Sequence, residues 1–67
     1  MITISVNGEA RSFAPGLDVA RLLEAMQLAG KKVAVERNGE IVPRSRYGVT
    51  HVENGDAFEI VVAVGGG

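Results

Sequence analysis

The sequence predicts a small α+β domain, with a mixed sheet of about five strands and one helix packed on one face. Three observations lead to this fold class. Strand-type alternation occurs both before and after a segment that has the helical spacing of apolar residues. Asn-Gly pairs mark tight turns. With 67 residues, no cysteine and 46% hydrophobic residues, the chain can bury one modest core, stabilised by packing rather than by disulfides.

The first predicted element is an N-terminal β-hairpin. Residues 1–6 alternate apolar and hydroxyl side chains, which places Ile2, Ile4 and Val6 on one face of a strand. Asn7-Gly8 favours the positive φ angles of a type I′ turn, so residues 9–13 should return as an antiparallel strand. Pro15 cannot donate to a strand ladder, and the pairing should end before it.

The next predicted element is the helix. Asp18 is suited to cap its N-terminus, because its carboxylate can accept a hydrogen bond from the first turn. One apolar stripe then follows the spacing i, i+3, i+4, i+7, through Val19, Leu22, Leu23 and Met26. Gly30 is the expected left-handed residue after the helix, since glycine adopts that conformation at little cost.

A second hairpin is predicted after the helix. Residues 33–37 form its first strand, Asn38-Gly39 marks its turn, and residues 40–42 form a short fourth strand. Pro43 limits that strand to an edge of the sheet, because a central strand needs the missing donor.

The last predicted strand, residues 57–64, is the most apolar segment and is expected at the centre of the sheet. A polar, irregular segment with an Asn54-Gly55 turn precedes it. The resulting strand-strand-helix-strand-strand-strand order is the β-grasp arrangement, in which the first and last strands run parallel. We therefore expect a β-grasp domain over residues 1–64 and a flexible tail over residues 65–67.

The tail consists of Gly65, Gly66 and Gly67, directly after the apolar strand. Glycine contributes no buried side chain and loses the most entropy on ordering, so a frayed end is one interpretation. The alternative is a tail that enters the narrow active site of another protein, with its chemistry on the main-chain carboxyl of Gly67. The second interpretation agrees with a chain too small for an enclosed active site of its own.

A resemblance favours the second interpretation. The run Asn-Gly-Glu-Ile-Val-Pro-Arg over residues 38–44, within the wider segment 33–45, resembles the ThiS family of ubiquitin-like sulfur carriers. The terminal Gly-Gly and the β-grasp order are similar to those of the wider ThiS and MoaD superfamily, and the likeness covers the whole chain.

The resemblance implies a carrier in thiamin biosynthesis that is not itself an enzyme and binds no stable cofactor. A ThiF-type adenylating enzyme would use ATP and magnesium to activate the carboxylate of Gly67. A cysteine desulfurase would indirectly supply the sulfur, and the Gly67 thiocarboxylate would donate it to the thiazole synthase ThiG. Gly65 and Gly66 would lie inside the partner's active site.

The last strand also supplies a candidate docking face. Alternation directs one set of side chains towards the helix, namely Phe58, Ile60, Val62 and Val64. Glu59, Val61 and Ala63 then lie on the opposite, open face, where apolar residues are a candidate contact for a partner. The alternative is that Val61 only reflects strand propensity.

Composition argues against several other classes. A net charge of −1 with seven scattered Lys and Arg is unsuited to nucleic acid, and neither a membrane segment nor a secretory signal is indicated, so we expect a cytoplasmic protein. His51 has no companions at metal-ligand spacing. The arginines at positions 37, 44 and 46 suit either an acidic partner or a solvated sheet edge.

Three alternatives remain open: a MoaD-like carrier for molybdopterin synthesis, a ubiquitin-like protein modifier, and a β-grasp interaction or RNA-binding module with an incidental tail. A modifier would form higher-mass conjugates. An interaction module would tolerate deletion of Gly66 and Gly67.

Overall fold

The computed structural model describes residues 1–63, so every prediction that falls on residues 64–67 lies outside the described residues. In chain order, these residues form β1 (Ile2–Val6), β2 (Glu9–Phe13), α1 (Val19–Ala25), β3 (Val33–Arg37), β4 (Glu40–Ile41), a 3₁₀-helix (Arg44–Arg46) and β5 (Ala57–Val62). The strands form one sheet within residues 1–63, in the order β2-β1-β5-β3-β4. The prediction of a domain over residues 1–64 with a separate tail stays a prediction.

The first hairpin has the predicted register and turn. Val6 lies opposite Glu9 and Ile2 opposite Phe13, which leaves Asn7 and Gly8 as the connection. Both have positive φ, 52° and 84°, as a type I′ turn requires. Asn38 and Gly39 join β3 to β4 with φ of 53° and 85°, so the second predicted hairpin is confirmed as well.

The central position of β5 is also confirmed. It runs parallel to β1, with Ser5 opposite Ala57 and Val6 opposite Phe58, and antiparallel to β3 along its length. Helix α1 belongs to the crossover that parallel pairing of β1 and β5 requires. The short β4 lies at the sheet edge before Pro43, as predicted.

The core lies between α1 and one face of the sheet. Alternate residues of the strands meet the apolar stripe of the helix there, and the loop before β5 adds Val52. The buried residues are Ile4, Val6, Val19, Leu22, Leu23, Val35, Val42, Val52, Phe58 and Ile60. Met26 packs against this cluster while remaining partly exposed, so the predicted stripe is confirmed.

The helix begins as predicted and ends earlier. Asp18 Oδ1 accepts a hydrogen bond from the Arg21 N–H at 2.8 Å. The last helical residue is Ala25, and Gln27, with φ of 61°, is the left-handed residue that ends the helix. Gly30 is left-handed as predicted, with φ of 82°, but lies three residues further along the chain. The Leu28 N–H reaches the Leu23 carbonyl at 2.7 Å, which closes a Schellman motif and allows Leu28 to pack on the core.

The segment between β4 and β5 is more regular than the sequence indicates. The 3₁₀-helix lies in it, and the Tyr47 carbonyl accepts the Ala20 N–H at 3.0 Å. The Tyr47 hydroxyl donates to the Val33 carbonyl at 3.4 Å. Further along, the Thr50 carbonyl accepts the Val19 N–H at 2.9 Å, so the loop is attached to the start of the helix.

The last strand ends earlier than predicted. Strand β5 ends at Val62, two residues before the predicted end, and Val64 lies outside the described residues. In residues 1–63, no helix has the length and apolar character needed to cross a bilayer.

Candidate functional site

The sheet holds the chain as far as the last described residue. The Ala63 N–H donates to the Lys32 carbonyl at 2.9 Å, beyond the end of β5. The predicted site residues Gly65, Gly66 and Gly67 lie outside the described residues. The last described residues before them in sequence are the C-terminal end of β5 and Ala63.

The open face of the sheet carries the predicted docking residues. Glu59, Val61 and Ala63 are all exposed, and Val61 keeps 64% of its accessible surface. Alternation and strand register place mainly small side chains around them: Thr3, Ser5, Ala10, Ser12, Ala34 and Ala57. Because these side chains are short, the face is flat and accessible, and Val61, opposite Ala34, is an exposed apolar side chain on it. A role in docking stays a prediction.

An acidic pair lies on the same face. Glu36 of β3 is directly opposite Glu59 of β5, and Ile41 of β4 is opposite Glu36 on its other side. Like charges at directly opposed positions destabilise a sheet. Sequence reasoning missed this pair, because it depends on the β3–β5 register, which the chain order alone does not define.

A basic groove lies where β5 ends. It has a volume of about 370 Å³ and is bordered by Lys31, Lys32 and Arg44. Tyr47, Val61 and Ala63 are among its apolar walls. Val61 therefore belongs both to the open face and to this groove, which adjoins the residue before the undescribed segment.

The arginines of the second hairpin do not act as one cluster. Arg37 Nε donates to Asp56 Oδ2 at 2.8 Å, so this arginine forms an ion pair within the fold. Arg44 borders the basic groove, whereas Arg46 lines a separate surface hollow to which Arg37 also contributes. Sequence proximity alone did not distinguish these environments.

Asp56 is a buried carboxylate that the sequence analysis missed. It is 7% exposed and also accepts the Asn38 side-chain amide at 3.0 Å and the Glu53 N–H at 2.9 Å. Burial alone would raise the pKa of Asp56, but the hydrogen bonds from Arg37, Glu53 and Asn38 and the charge of Arg37 outweigh it and lower that pKa below 3.8. Asp56 thus holds the start of β5 against the second hairpin.

The asparagines of the turns have a second function that the turn signal did not reveal. Asn7 Oδ1 accepts the Ile60 N–H at 2.8 Å, and its Nδ2 donates to the Ile60 carbonyl at 3.0 Å. Asn38 Oδ1 accepts the Ala57 N–H at 2.9 Å, and Asn54 Oδ1 accepts the Thr3 N–H at 2.8 Å. Asn7 and Asn38 thus connect the two hairpin turns to β5, and Asn54 connects the loop before β5 to β1.

His51 lies at the surface, where it forms an isolated β-bridge with Asp18. Among residues 1–63, no group of three or more His, Asp or Glu side chains is placed to hold a metal ion.

Comparison with known proteins identifies related sequences. Residues 4–67 match the model of the ThiS family. The chain is 48% identical over 46 residues to the sulfur carrier protein ThiS of Bacillus subtilis, an overlap of 69% of this chain and 70% of that protein. It is also 48% identical over 62 residues to a thiazole synthase of Paramagnetospirillum magneticum, an overlap of 92% of this chain and 19% of that protein.

Two curated relatives are much longer than this chain. It spans about a fifth of the length of the Paramagnetospirillum protein and of a thiazole synthase from Magnetococcus marinus, to which it is 39% identical. Among solved structures, the crystal structure of the thiamine biosynthesis protein ThiS from Geobacter metallireducens superimposes with a TM-score of 0.84 and 38% identity. The superposition covers 98% of this chain and all of that one, which confirms the predicted β-grasp fold.

Proposed function

This chain belongs to the ThiS family, and we propose that it carries sulfur for the thiazole moiety of thiamin as a thiocarboxylate on Gly67. The observation that carries the proposal is the family match over residues 4–67, which includes the C-terminal glycines. The likeness to the Geobacter ThiS structure over the whole fold supports it. In this proposal, the chain is a co-substrate of its partner enzymes and performs no catalysis.

The first chemical step is activation of the carboxylate. An oxygen of the Gly67 carboxylate attacks the α-phosphorus of ATP on a ThiF-type enzyme, and pyrophosphate leaves. The acyl-adenylate that results has AMP as a leaving group, which a free carboxylate lacks. Glycine suits this position, because the absence of a β-carbon lets the backbone lie close to the nucleotide.

The second step introduces sulfur. A persulfide of a partner cysteine, formed through a cysteine desulfurase, attacks the acyl carbon and displaces AMP. A second cysteine thiolate then attacks the sulfur of the first cysteine, which forms a disulfide between the two cysteines and releases the Gly67 thiocarboxylate. The carrier sequence contains no cysteine, so all thiol chemistry is assigned to partners.

We propose a thiazole synthase, ThiG, as the acceptor of the sulfur. Two long relatives, each containing a segment similar to this chain, are named thiazole synthase. Carrier-like and thiazole-synthase sequences in one polypeptide support a direct transfer between such proteins. The open face with Glu59, Val61 and Ala63 is the surface proposed to contact the adenylating partner.

The first step can be tested by ATP–pyrophosphate exchange with the purified adenylating enzyme of the same organism. We expect exchange to depend on the carrier and to disappear when Gly66 and Gly67 are deleted. The original chain differs from the deletion variant only by these two glycines and is the reference that should support exchange. Carrier-independent exchange, or full exchange with the deletion variant, would contradict the proposal.

A further inference from the structure

The basic groove at the end of β5 has a composition that neither the fold nor the proposed chemistry explains. Lys31 and Lys32 precede β3, and Arg44 begins the 3₁₀-helix, so separate segments bring three cations to one groove. All three are exposed. Like charges gathered in this way repel one another, and the fold gains nothing evident from their proximity.

The cations of the groove form no ion pair within the described part of the chain, although Glu24 lines an adjoining hollow together with Lys31 and Arg44. The ion pairs among residues 1–63 are Arg11 with Glu9 and Arg37 with Asp56. No acidic residue lines the groove in this part of the chain, although the net charge of the whole sequence is −1. The groove is therefore a local positive region on a slightly acidic molecule, which favours an acidic ligand.

The walls of the groove are apolar and indicate the kind of acidic ligand. Val33, Ala34, Val61 and Ala63 contribute aliphatic surface, and Tyr47 contributes an aromatic ring. Tyr47 is held in place, since its hydroxyl donates to the Val33 carbonyl. A volume of about 370 Å³ accommodates an apolar side chain together with its flanking backbone. A peptide that combines carboxylates with an apolar side chain fits this surface better than a small anion, which proteins usually hold with converging N–H groups.

We propose that this groove binds an acidic segment, with an apolar side chain among its carboxylates, on the adenylating enzyme that accepts the Gly67 carboxylate. The proposal rests on the proposed function for the identity of the partner. The location of the groove supports the adenylating enzyme as the partner, because Ala63 lines the groove and directly precedes the residues that lead to Gly67 in sequence. A protein that binds these residues engages a segment adjacent in sequence to the groove, and opposite charges there would accelerate and orient the encounter.

The groove can be tested without the enzyme. Backbone amide shifts of the ¹⁵N-labelled protein would be followed while the peptide acetyl-Glu-Glu-Phe-Glu-Glu-amide is added, with a Gln-for-Glu peptide and inorganic phosphate as comparisons. We expect the acidic peptide to shift the amides of Lys32, Ala34 and Arg44 and to lose its effect as salt is raised. Absence of these shifts, equal shifts with the Gln peptide, or equal shifts with phosphate would each overturn the proposal.

The enzyme itself supplies the second test. Lys32→Glu combined with Arg44→Glu should weaken binding to the adenylating enzyme about tenfold or more at low salt, because attractive pairs become repulsive. The matched control is Arg21→Glu combined with Arg46→Glu, which changes the net charge equally at exposed positions outside the groove. Circular dichroism would establish that both variants are folded, and the control should bind nearly as tightly as the original chain. Equal losses in both variants, or no loss in the groove variant, would overturn the proposal.

The two tests separate this inference from the proposed function. If the original chain supports ATP–pyrophosphate exchange but the groove variant binds and reacts unchanged, the groove proposal is wrong and the carrier function stands. If the original chain is not activated at all while the acidic peptide still shifts the groove amides, the acidic specificity stands and the assigned partner is wrong.

Discussion

At the scale of single residues, side chains that a sequence pattern assigns to turns also hold the sheet together. Asn7 has the positive φ expected of its turn and, in addition, exchanges two hydrogen bonds with Ile60. Asp56 likewise follows a turn and receives hydrogen bonds from Arg37 and Asn38. Turn propensity is local and could be predicted, whereas these partners are distant in sequence and depend on the completed sheet.

Asp56→Ala should lower the free energy of unfolding by about 2 kcal/mol, because donors from Arg37, Asn38 and Glu53 lose their acceptor in a part-buried site. Urea denaturation would measure the change. Glu59→Ala, in the strand that follows Asp56, is a control and should change stability by less than about 0.5 kcal/mol, since Glu59 is exposed and opposes a like charge. An equal effect of both substitutions would contradict the assigned role of Asp56.

The stability contributed by Asp56 should depend on pH. Its pKa in the folded protein lies below 3.8, so the contribution is fully present above the unfolded-state pKa and is lost as pH falls through the folded-state pKa. The stability difference between the original chain and Asp56→Asn should therefore be large near pH 6 and shrink as pH falls through the folded-state pKa of Asp56. Urea denaturation across this range would measure it. A difference that stays constant would show that the charge of Asp56 is irrelevant.

At the scale of secondary-structure elements, strands and turns were predicted more accurately than the helix end. The hairpins have strong local signals in Asn7-Gly8 and Asn38-Gly39 and agree with the predicted positions. The helix ends before Gly30, because the bond from Leu28 to Leu23 turns the chain so that Leu28 reaches the core. This tertiary packing is absent from any local pattern, so Gln27 takes the left-handed position at the helix end, and Gly30 is left-handed three residues later.

Gln27→Gly should raise the free energy of unfolding by about 0.5 to 1 kcal/mol. Gln27 has φ of 61°, a conformation that costs less for glycine, and its side chain is exposed. Ala25→Gly is the matched control inside the last helical turn and should destabilise by a similar amount, because helical geometry favours alanine. Thermal unfolding would measure both. Destabilisation by Gln27→Gly would show that the helix end in solution differs from the one described.

At the scale of the whole molecule, the sheet presents chemically distinct surfaces around the exit of β5. The open face combines small side chains with Val61 and the Glu36–Glu59 pair. The groove beside it is basic, with Lys31, Lys32 and Arg44. This separation of charge supports the proposed carrier function, since complementary potentials set the register of an encounter with a partner.

Val61→Asp should weaken binding to the adenylating enzyme and leave the fold intact. Val49→Asp is a matched control, because Val49 is also 64% exposed but lies in the loop before β5. We expect a loss of about tenfold for Val61→Asp, as for a buried apolar contact at an interface, and little change for the control. Calorimetric titration would give both affinities. Loss of the far-ultraviolet circular dichroism of Val61→Asp would instead identify Val61 as a core residue.

The limit of sequence reasoning is also clearest at this scale. Apolar periodicity and turn chemistry were sufficient for the order of elements and the central place of β5, and alternation correctly placed Val61 on the exposed side. The basic groove was beyond such reasoning. Lys31 and Arg44 are separated by a hairpin, and only the folded sheet and the anchored Tyr47 bring them together.

The most direct test of the account is the intact mass of the chain after reaction with its adenylating enzyme, ATP, magnesium and a persulfide source. We predict an increase equal to one sulfur-for-oxygen exchange, located on the C-terminal Gly67 fragment, and a further increase by one alkyl group after treatment with a thiol-directed alkylating reagent. The variant that lacks Gly66 and Gly67 should keep its original mass. An unchanged mass of the full chain with an enzyme shown to be active, or sulfur located on any other residue, would contradict the claim that Gly67 carries the sulfur.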